Sequence, residues 1–299
     1  MNRPRLALLI GIICISIFPV LVRLNLTSGP ISAFYRMAIA LAVLFPFWLF
    51  AKRPKTYDLR MWSLTVLCGL IFAIDVAVWN VSIQESSATQ ATLLANLAPV
   101  WVGMGSFLFL KNKPSGNFWI GTVLALFGMV TLVGYDFFME FSFDRGFVFA
   151  VLSGILYAIY ILLSKEVLSK MDVTNFMTIS LLASSLLLAL VCYLLGEPFT
   201  GFSKEGWAVL AVQGLVCQLL AWLLISYATK YMKPTRISLS LLTQAFFASI
   251  LAWLFLDEAI SLQMILGGTI LLLGIAITFY GKPLLPKRSG RSDKQKGIA

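Results

Sequence analysis

Ten runs of mainly apolar residues, each about as long as a bilayer is thick, account for most of this 299-residue sequence. A helix needs about 20 such residues to cross the hydrocarbon core, where its backbone N–H and C=O groups must pair internally. Hydrophobic residues make up 60% of the chain and charged residues 12%, whereas soluble domains average about 45–50% and about 25%. The sequence therefore predicts an all-α, polytopic membrane protein with ten spans, near residues 5–24, 31–51, 60–83, 86–110, 115–135, 145–165, 173–195, 205–229, 234–256 and 260–281.

The positions of Lys and Arg predict how these spans are oriented. With a cytoplasmic N-terminus, nineteen of the 23 Lys and Arg residues fall at cytoplasmic span ends, and acidic residues concentrate at the other ends. The net charge of +10 then reflects membrane insertion and contact with anionic lipid, not nucleic-acid binding. We expect both termini in the cytoplasm and a basic, disordered tail at 282–299.

The two halves of the chain resemble each other at an offset of 146 residues. The offset superimposes two glycines of span 5 on two glycines of span 10, Gly121 on Gly267 and Gly128 on Gly274. The glycines of each span are two helical turns apart and so share one face. They predict close helix packing, either within the bundle or between protomers.

A second similarity links spans 4 and 9. Small or polar residues of span 4, from Thr89 to Ser106, recur at intervals of three or four and lie on one helix face. Most of their counterparts in span 9 are also small or polar. Because each half holds an odd number of spans, the halves must lie inverted, as in many secondary transporters whose site lies between the repeats. We predict repeats at 1–138 and 144–281 around a central cavity.

Two ionisable residues, Arg36 in span 2 and Asp75 in span 3, lie well inside predicted spans. Charges at such depths are costly and are candidates for function. Their depths differ by only about 5 Å, so the two side chains could pair. Three interpretations stay open: an anchor for a substrate carboxylate or ammonium, a proton-coupling carboxylate, or a structural ion pair. The ion pair is favoured because a paired carboxylate titrates poorly near neutrality.

Neutral polar and aromatic residues supply the other candidate binding residues. Polar side chains turn toward the bundle interior, and aromatic rings on a polar cavity stack against flat or apolar solutes. Interhelical hydrogen bonding and plain packing are the alternatives. Asn96 leads because it lies mid-span beside Pro99, a residue that predicts a hinge or a static kink. Trp79 is either an outer gate or part of an interfacial belt. The full set is Phe72, Trp79, Asn80, Asn96, Trp101, Tyr157, Gln218, Trp222 and Gln244, with Tyr160 as a further deep aromatic.

Several chemistries lack the residues they need. The chain has no histidine, no phosphate-binding loop and no paired carboxylates inside a span, so nothing predicts an enzyme or an ATP-driven pump. Its four cysteines lie in apolar runs without metal-ligand spacing, so we expect no metal and no cofactor. Arg36 is the one deep basic residue, which argues against phosphate-bearing substrates.

Segments 79–80 and 87–101, the Phe-Tyr-Arg-Met sequence at 34–37, and the acidic end of span 9 at 254–259 carry a family likeness. Together they resemble the drug/metabolite transporter superfamily of the EamA type, over about residues 5–281. The resemblance implies ten helices in two inverted bundles, export of small metabolites, and a bacterial inner (plasma) membrane. Within the family, the chain looks similar to the aromatic amino-acid exporter branch.

Two classes of function are therefore expected. The first is a secondary transporter that exports small amphipathic metabolites, amino acids with aromatic ones favoured, by alternating access. A broad exporter of flat organic cations or drugs is a variant of this class. The second is a non-transporting receptor or assembly scaffold. Expected partners are a small-molecule solute and membrane lipid, with no nucleic acid; a monomer is expected to suffice, and a homo-oligomer is left open.

Overall fold

The structure, a computed structural model, describes residues 2–50, 57–85, 88–109, 113–134, 143–256 and 260–280. Regular structure in these segments is helical throughout, and ten stretches of helix are long and apolar enough to cross a membrane. The predicted all-α fold with ten spans is confirmed. The tail at 282–299 and the acidic end of span 9 at 257–259 lie outside the described residues.

Seven spans are single helices. They are Arg3–Arg23 (span 1), Gly29–Phe50 (span 2), Leu59–Glu85 (span 3), Gly116–Val133 (span 5), Arg145–Leu168 (span 6), Val173–Leu194 (span 7) and Leu262–Phe279 (span 10). The other three are interrupted. Span 4 consists of Ala88–Ala95 and Ala98–Phe109, and span 9 of Pro234–Leu241 and Thr243–Leu256. Span 8 consists of Lys204–Val212, the π-helix Gln213–Leu220, and Ala221–Tyr231.

Equivalent spans of the two halves begin in the same way. Ser115 precedes span 5, and its hydroxyl accepts a hydrogen bond from the backbone N–H of Phe118. Ser261 precedes span 10 and accepts from the N–H of Met264. Such N-caps satisfy one of the backbone donors that a helix start leaves without a partner. The repeat seen in the sequence therefore extends to the local structure of the helix starts.

The halves pack through pairs of spans that an inverted repeat relates to one another. Span 3 packs on span 6, and its counterpart span 8 packs on span 1. Span 4 lies against span 6, and its counterpart span 9 lies against span 1. The pairs 2–7 and 5–10 are their own counterparts. Most extensive contacts thus join one half to the other, so the halves form one helix bundle.

The tightest of these contacts joins spans 5 and 10 through the predicted glycines. A Cβ atom on Gly121 would lie 2.4 Å from the carbonyl oxygen of Gly274, and one on Gly128 would lie 2.3 Å from the Leu271 nitrogen. Along span 5 from Gly121 to Gly128, the contacted residue of span 10 moves back from Gly274 to Leu271, so the two helices run antiparallel. The prediction of close packing at these glycines is confirmed, and the contact lies within one chain.

The bundle has two chemically different ends. At the end that carries the N-terminus, here called the basic end, the Lys165 ammonium donates to the carbonyl oxygens of Thr229 and Lys230. The guanidinium groups of Arg5 and Arg236 both lie 5.2 Å from the centre of the Phe279 ring at this end. At the opposite end, the Ser28 hydroxyl donates to Glu197, and the Tyr35 hydroxyl donates to the carbonyl of Phe199. The starts of odd spans and the ends of even spans share the basic end.

The substitution Gly128→Ala tests the contact between spans 5 and 10. A methyl group there meets backbone atoms that cannot move independently, so we expect destabilisation of about 1–3 kcal/mol, typical of overpacking. The measurement is the thermal unfolding midpoint of the purified protein in detergent. Gly105→Ala is the matched control, because its methyl would meet only the end of the Leu162 side chain. Equal midpoints for the two variants would contradict this packing.

Candidate binding site

Spans 4 and 9 are interrupted at equivalent positions. The break in span 4 falls at Asn96 and Leu97, and the break in span 9 falls at Leu242, which the 146-residue offset aligns with Asn96. Helices broken at corresponding positions of two inverted halves are the arrangement that membrane transporters use to expose backbone groups at a midplane site. The two breaks therefore mark where a binding site is to be sought.

The break in span 4 has a local chemical cause. Pro99 has no N–H, so it cannot donate to the carbonyl oxygen of Ala95 one turn earlier. The Asn96 side chain donates to the Thr92 carbonyl at 2.8 Å, which the Asn96 backbone N–H also contacts at 3.0 Å. Gly154 of span 6 packs here, since a Cβ on it would be 3.0 Å from the Ala95 oxygen. Asn96, the leading sequence candidate, thus caps the helix beside the break.

Span 8 contributes a different irregularity, the π-helix Gln213–Leu220. Such wide turns are rare and often occur at functional sites. The Gln213 side-chain oxygen accepts a hydrogen bond of 2.6 Å from the Ser32 hydroxyl, which ties span 8 to span 2. Gln218, a predicted binding residue, is 2% exposed, and its side-chain oxygen has no hydrogen-bond partner among the described residues.

Four aromatic residues meet at the interface of the halves and are called the aromatic cluster: Phe72 of span 3, Tyr157 and Tyr160 of span 6, and Trp222 of span 8. The Phe72 ring centre lies 4.8 Å from that of Tyr160 and 4.9 Å from that of Trp222. Tyr157 lies 6.3 Å from Tyr160 and 6.5 Å from Trp222. Three of these residues are predicted binding residues, and the rings, rather than open space, occupy the interface at this level. Trp101 packs against the same core.

Arg36 and Asp75 are both buried, and each has a partner other than its opposite charge. The Asp75 carboxylate accepts a hydrogen bond of 2.6 Å from the Ser153 hydroxyl. The Arg36 guanidinium lies 4.4 Å from the centre of the Phe18 ring. Among the described side chains no ion pair joins Arg36 to Asp75, although each acts electrostatically on the other. The favoured interpretation of a direct structural ion pair therefore has no contact to support it.

Six buried side-chain polar atoms have no hydrogen-bond partner among the described residues, and four of them belong to predicted site residues. These four are the Arg36 Nε, the Trp101 Nε1, the Gln218 Oε1 and the Trp222 Nε1; the other two are the hydroxyls of Ser106 and Ser185. Leaving such a group unpaired costs about 1–3 kcal/mol. A bound solute with donors and acceptors would supply the missing partners. The site therefore combines flat apolar rings, two opposite charges and unused hydrogen-bonding atoms.

Three predicted residues are not members of the aromatic cluster. Trp79 and Asn80 are near the opposite end of span 3, where the Asn80 amide donates to the Val76 carbonyl and its oxygen lies against Gly29. Gln244 is half-buried just beyond the break in span 9.

The sequence predictions missed Ser153, the hydrogen-bond partner of Asp75. A signal for Ser153 was present: it precedes Tyr157 by four residues and Tyr160 by seven, which places all three on one helix face.

A bundle of two inverted halves, with paired helix breaks beside a buried polar and aromatic site, defines the class of inverted-repeat membrane transporters. The comparison with known families identifies the family. The EamA-like transporter family matches this chain twice, at residues 4–134 and 144–280. The chain belongs to the EamA-like transporter family and is a transporter of that type.

Individual relatives agree with this assignment. The uncharacterized transporter YdfC of Bacillus subtilis (strain 168) is 25% identical over 251 residues, which cover 83% of this chain and 80% of the relative. An uncharacterized transporter of Archaeoglobus fulgidus is 27% identical over 209 residues, covering 69% of this chain and 72% of its own. A solved crystal structure with 17% identity aligns over 92% of this chain and 96% of its own with a TM-score of 0.78, so it shares the fold.

The substitution Pro99→Ala tests the origin of the break in span 4. An alanine N–H can donate to the Ala95 carbonyl, so we expect the two helices of the span to join and the backbone amides of 96–101 to exchange hydrogen more slowly. The measurement is hydrogen–deuterium exchange by mass spectrometry. Pro46→Ala, inside the helix of span 2, is the matched control and should leave exchange at 96–101 unchanged. Unaltered exchange in Pro99→Ala would contradict a proline-dependent break.

Proposed function

We propose that this transporter exports small amphipathic metabolites, amino acids with aromatic ones favoured, by alternating access of its two inverted halves. The observation that carries the proposal is the aromatic cluster, which lies between the halves beside unpaired polar atoms. Aromatic pairs prefer offset or edge-to-face contacts with centres about 4.5–7 Å apart. A planar side chain entering among these rings can replace their contacts with one another by equivalent contacts with itself.

The charged residues supply recognition of the other part of an amino acid. Arg36 suits the carboxylate, because its Nε has no hydrogen-bond partner among the described residues and guanidinium groups bind carboxylates through paired hydrogen bonds. Asp75 suits the ammonium group, since its described hydrogen bond comes from one hydroxyl, that of Ser153. The Nε1 atoms of Trp101 and Trp222 offer further donors. The site therefore offers an opposite charge to the carboxylate and to the ammonium group of an aromatic amino acid, and aromatic contacts to its ring.

Orientation and location complete the proposal. The basic end faces the cytoplasm, as the positive-inside rule predicts, with both termini on that side of a bacterial inner membrane. Solute enters from the basic end and leaves at the opposite end. No cofactor, metal or catalytic step is required. Asp75 is the candidate for the group that couples transport to protons.

A second candidate is export of flat organic cations. It is favoured by one observation, the carboxylate of Asp75 in the neighbourhood of the aromatic rings, because rings and a carboxylate both attract cations. The two candidates differ in their use of Arg36. An amino acid needs the guanidinium for its carboxylate, whereas a cation gains nothing from it and is repelled.

Solute flux into proteoliposomes tests the proposal. The panel is labelled tryptophan, phenylalanine, leucine and a flat organic cation, each measured against empty vesicles. We expect tryptophan and phenylalanine to cross fastest. In both Arg36→Gln and Asp75→Asn the flux of tryptophan should fall about tenfold or more, because each change removes a charge-assisted hydrogen bond. Lys170→Gln, an exposed position at the basic end, is the control variant.

The outcomes separate the alternatives. Faster flux of the cation, lost in Asp75→Asn but kept in Arg36→Gln, would select the cation exporter. No flux above that of empty vesicles for any member of the panel would remove the support for amino-acid export.

A further inference from the structure

A cavity of about 380 Å³ opens at the basic end, among the ends of spans 4, 6, 8 and 10 and the starts of spans 5 and 9. It is not part of the aromatic cluster. Tyr231, which lines it, follows Trp222 by nine residues, or about 14 Å along span 8. We refer to it as the basic cavity.

The lining of the basic cavity is strongly one-sided in charge. Four of its residues are cationic: Lys113, Lys165, Lys233 and Arg236. None of its described lining residues is acidic. The Lys165 ammonium uses two of its three N–H donors for the carbonyl oxygens of Thr229 and Lys230, so one N–H donor remains. Positive charge is therefore gathered here without a lining carboxylate to balance it.

Two helix N-termini add to the positive charge of the basic cavity. Span 5 begins at Gly116 directly after Ser115, and span 9 begins at Pro234, and both sites line or adjoin the basic cavity. The start of span 9 has no side-chain cap. A helix N-terminus carries a partial positive charge, so it favours anions. Pro234 has no N–H, and the N–H groups of Arg236 and Phe118 already donate to Lys233 and Ser115, so these starts contribute mainly through that charge.

Ser106 is the independent sign of a ligand. It lines the basic cavity, is only 1% exposed, and its hydroxyl has no hydrogen-bond partner among the described residues. Serines in other spans, such as Ser16 and Ser249, donate to the carbonyl of their own helix four residues earlier. The Ser106 hydroxyl makes no such bond, so a buried donor is left for a bound group.

We propose that the basic cavity binds the phosphate group of a soluble phosphate compound or of an anionic lipid. A phosphate matches four cations, two helix starts and a free hydroxyl, because it offers several acceptor oxygens and full negative charge. A zwitterionic amino acid matches poorly, since no described lining carboxylate receives its ammonium group. The site is separate from the aromatic cluster, and its occupancy does not depend on which solute crosses the membrane.

The test uses the purified full-length protein and inorganic phosphate. Isothermal titration at constant ionic strength should show saturable binding, with chloride as the reference anion. The double variant Lys113→Gln/Arg236→Gln should bind about tenfold more weakly or worse, as expected for lost charge-assisted contacts. Lys170→Gln, exposed at the same end but outside the cavity lining, should bind like the wild type.

A second arm identifies the source of the phosphate. The thermal unfolding midpoint is compared in nanodiscs of phosphatidylcholine with and without phosphatidylglycerol. Stabilisation by phosphatidylglycerol that the double variant loses supports a lipid headgroup, whereas saturable binding of inorganic phosphate in detergent supports a soluble compound.

Ser106→Ala keeps the proposal testable if the double variant fails to fold, because it removes one hydroxyl and no charge. It should weaken phosphate binding while gel filtration stays unchanged and the unliganded unfolding midpoint does not fall, because the hydroxyl it removes has no partner among the described residues. The proposal is overturned by three results: neither probe acts, Lys170→Gln weakens binding as much as the double variant, or Ser106→Ala binds like the wild type. None of these results alters the flux measurement on amino acids, so the two proposals fail separately.

Discussion

Hydrocarbon offers no hydrogen-bond partner to a peptide group, and most features of this bundle follow from that constraint. Seven spans meet it with continuous α-helices, span 8 includes a π-helix, and spans 4 and 9 are interrupted. At the break in span 4 the Asn96 side chain donates to the Thr92 carbonyl, and Gly154 of span 6 packs against the Ala95 oxygen. A side-chain bond between Ser32 and Gln213 joins span 2 to the π-helix of span 8. Irregular backbone is tolerated at membrane depth only where protein or a polar cavity surrounds it. The breaks therefore lie between the halves, where their backbone groups can also contact a solute.

The rest of the packing keeps this interior in place. Spans 5 and 10 approach each other through backbone at Gly121, Gly128 and their counterparts, so this contact behaves as a rigid seam between the halves. Spans 3, 6 and 8 carry the aromatic cluster, whose rings touch across the same interface. We propose that the movement that alternates access pivots at this seam, while the contacts of span 3 with span 6, span 2 with span 7 and span 8 with span 1 change.

Much of the fold could be predicted from the sequence because the bilayer imposes a simple pattern on it. Apolar runs bounded by charges predicted the ten spans, and the seven-residue glycine spacing predicted a close helix contact on one face of span 5 and of span 10, although not that these two spans contact each other. Pro99 pointed to an irregularity in span 4. The corresponding break in span 9, at Leu242, is not followed by a proline, because the residue aligned with Pro99 is Ala245. No sequence pattern predicted the π-helix at Gln213–Leu220. The Arg36–Phe18 contact could not be predicted either, because it depends on how spans 1 and 2 are rotated in the assembled bundle.

We propose that the two halves move against each other around the aromatic cluster. Spin labels at Arg60 and Lys170 report on the basic end, and labels at Leu26 and Thr200 report on the opposite end, in a background without the four free cysteines. Pulsed electron–electron resonance then measures both distances in lipid with and without free tryptophan. Alternating access predicts that tryptophan shifts the two distance distributions in opposite directions. Distributions that stay unchanged, or that widen together at both ends, would contradict the account.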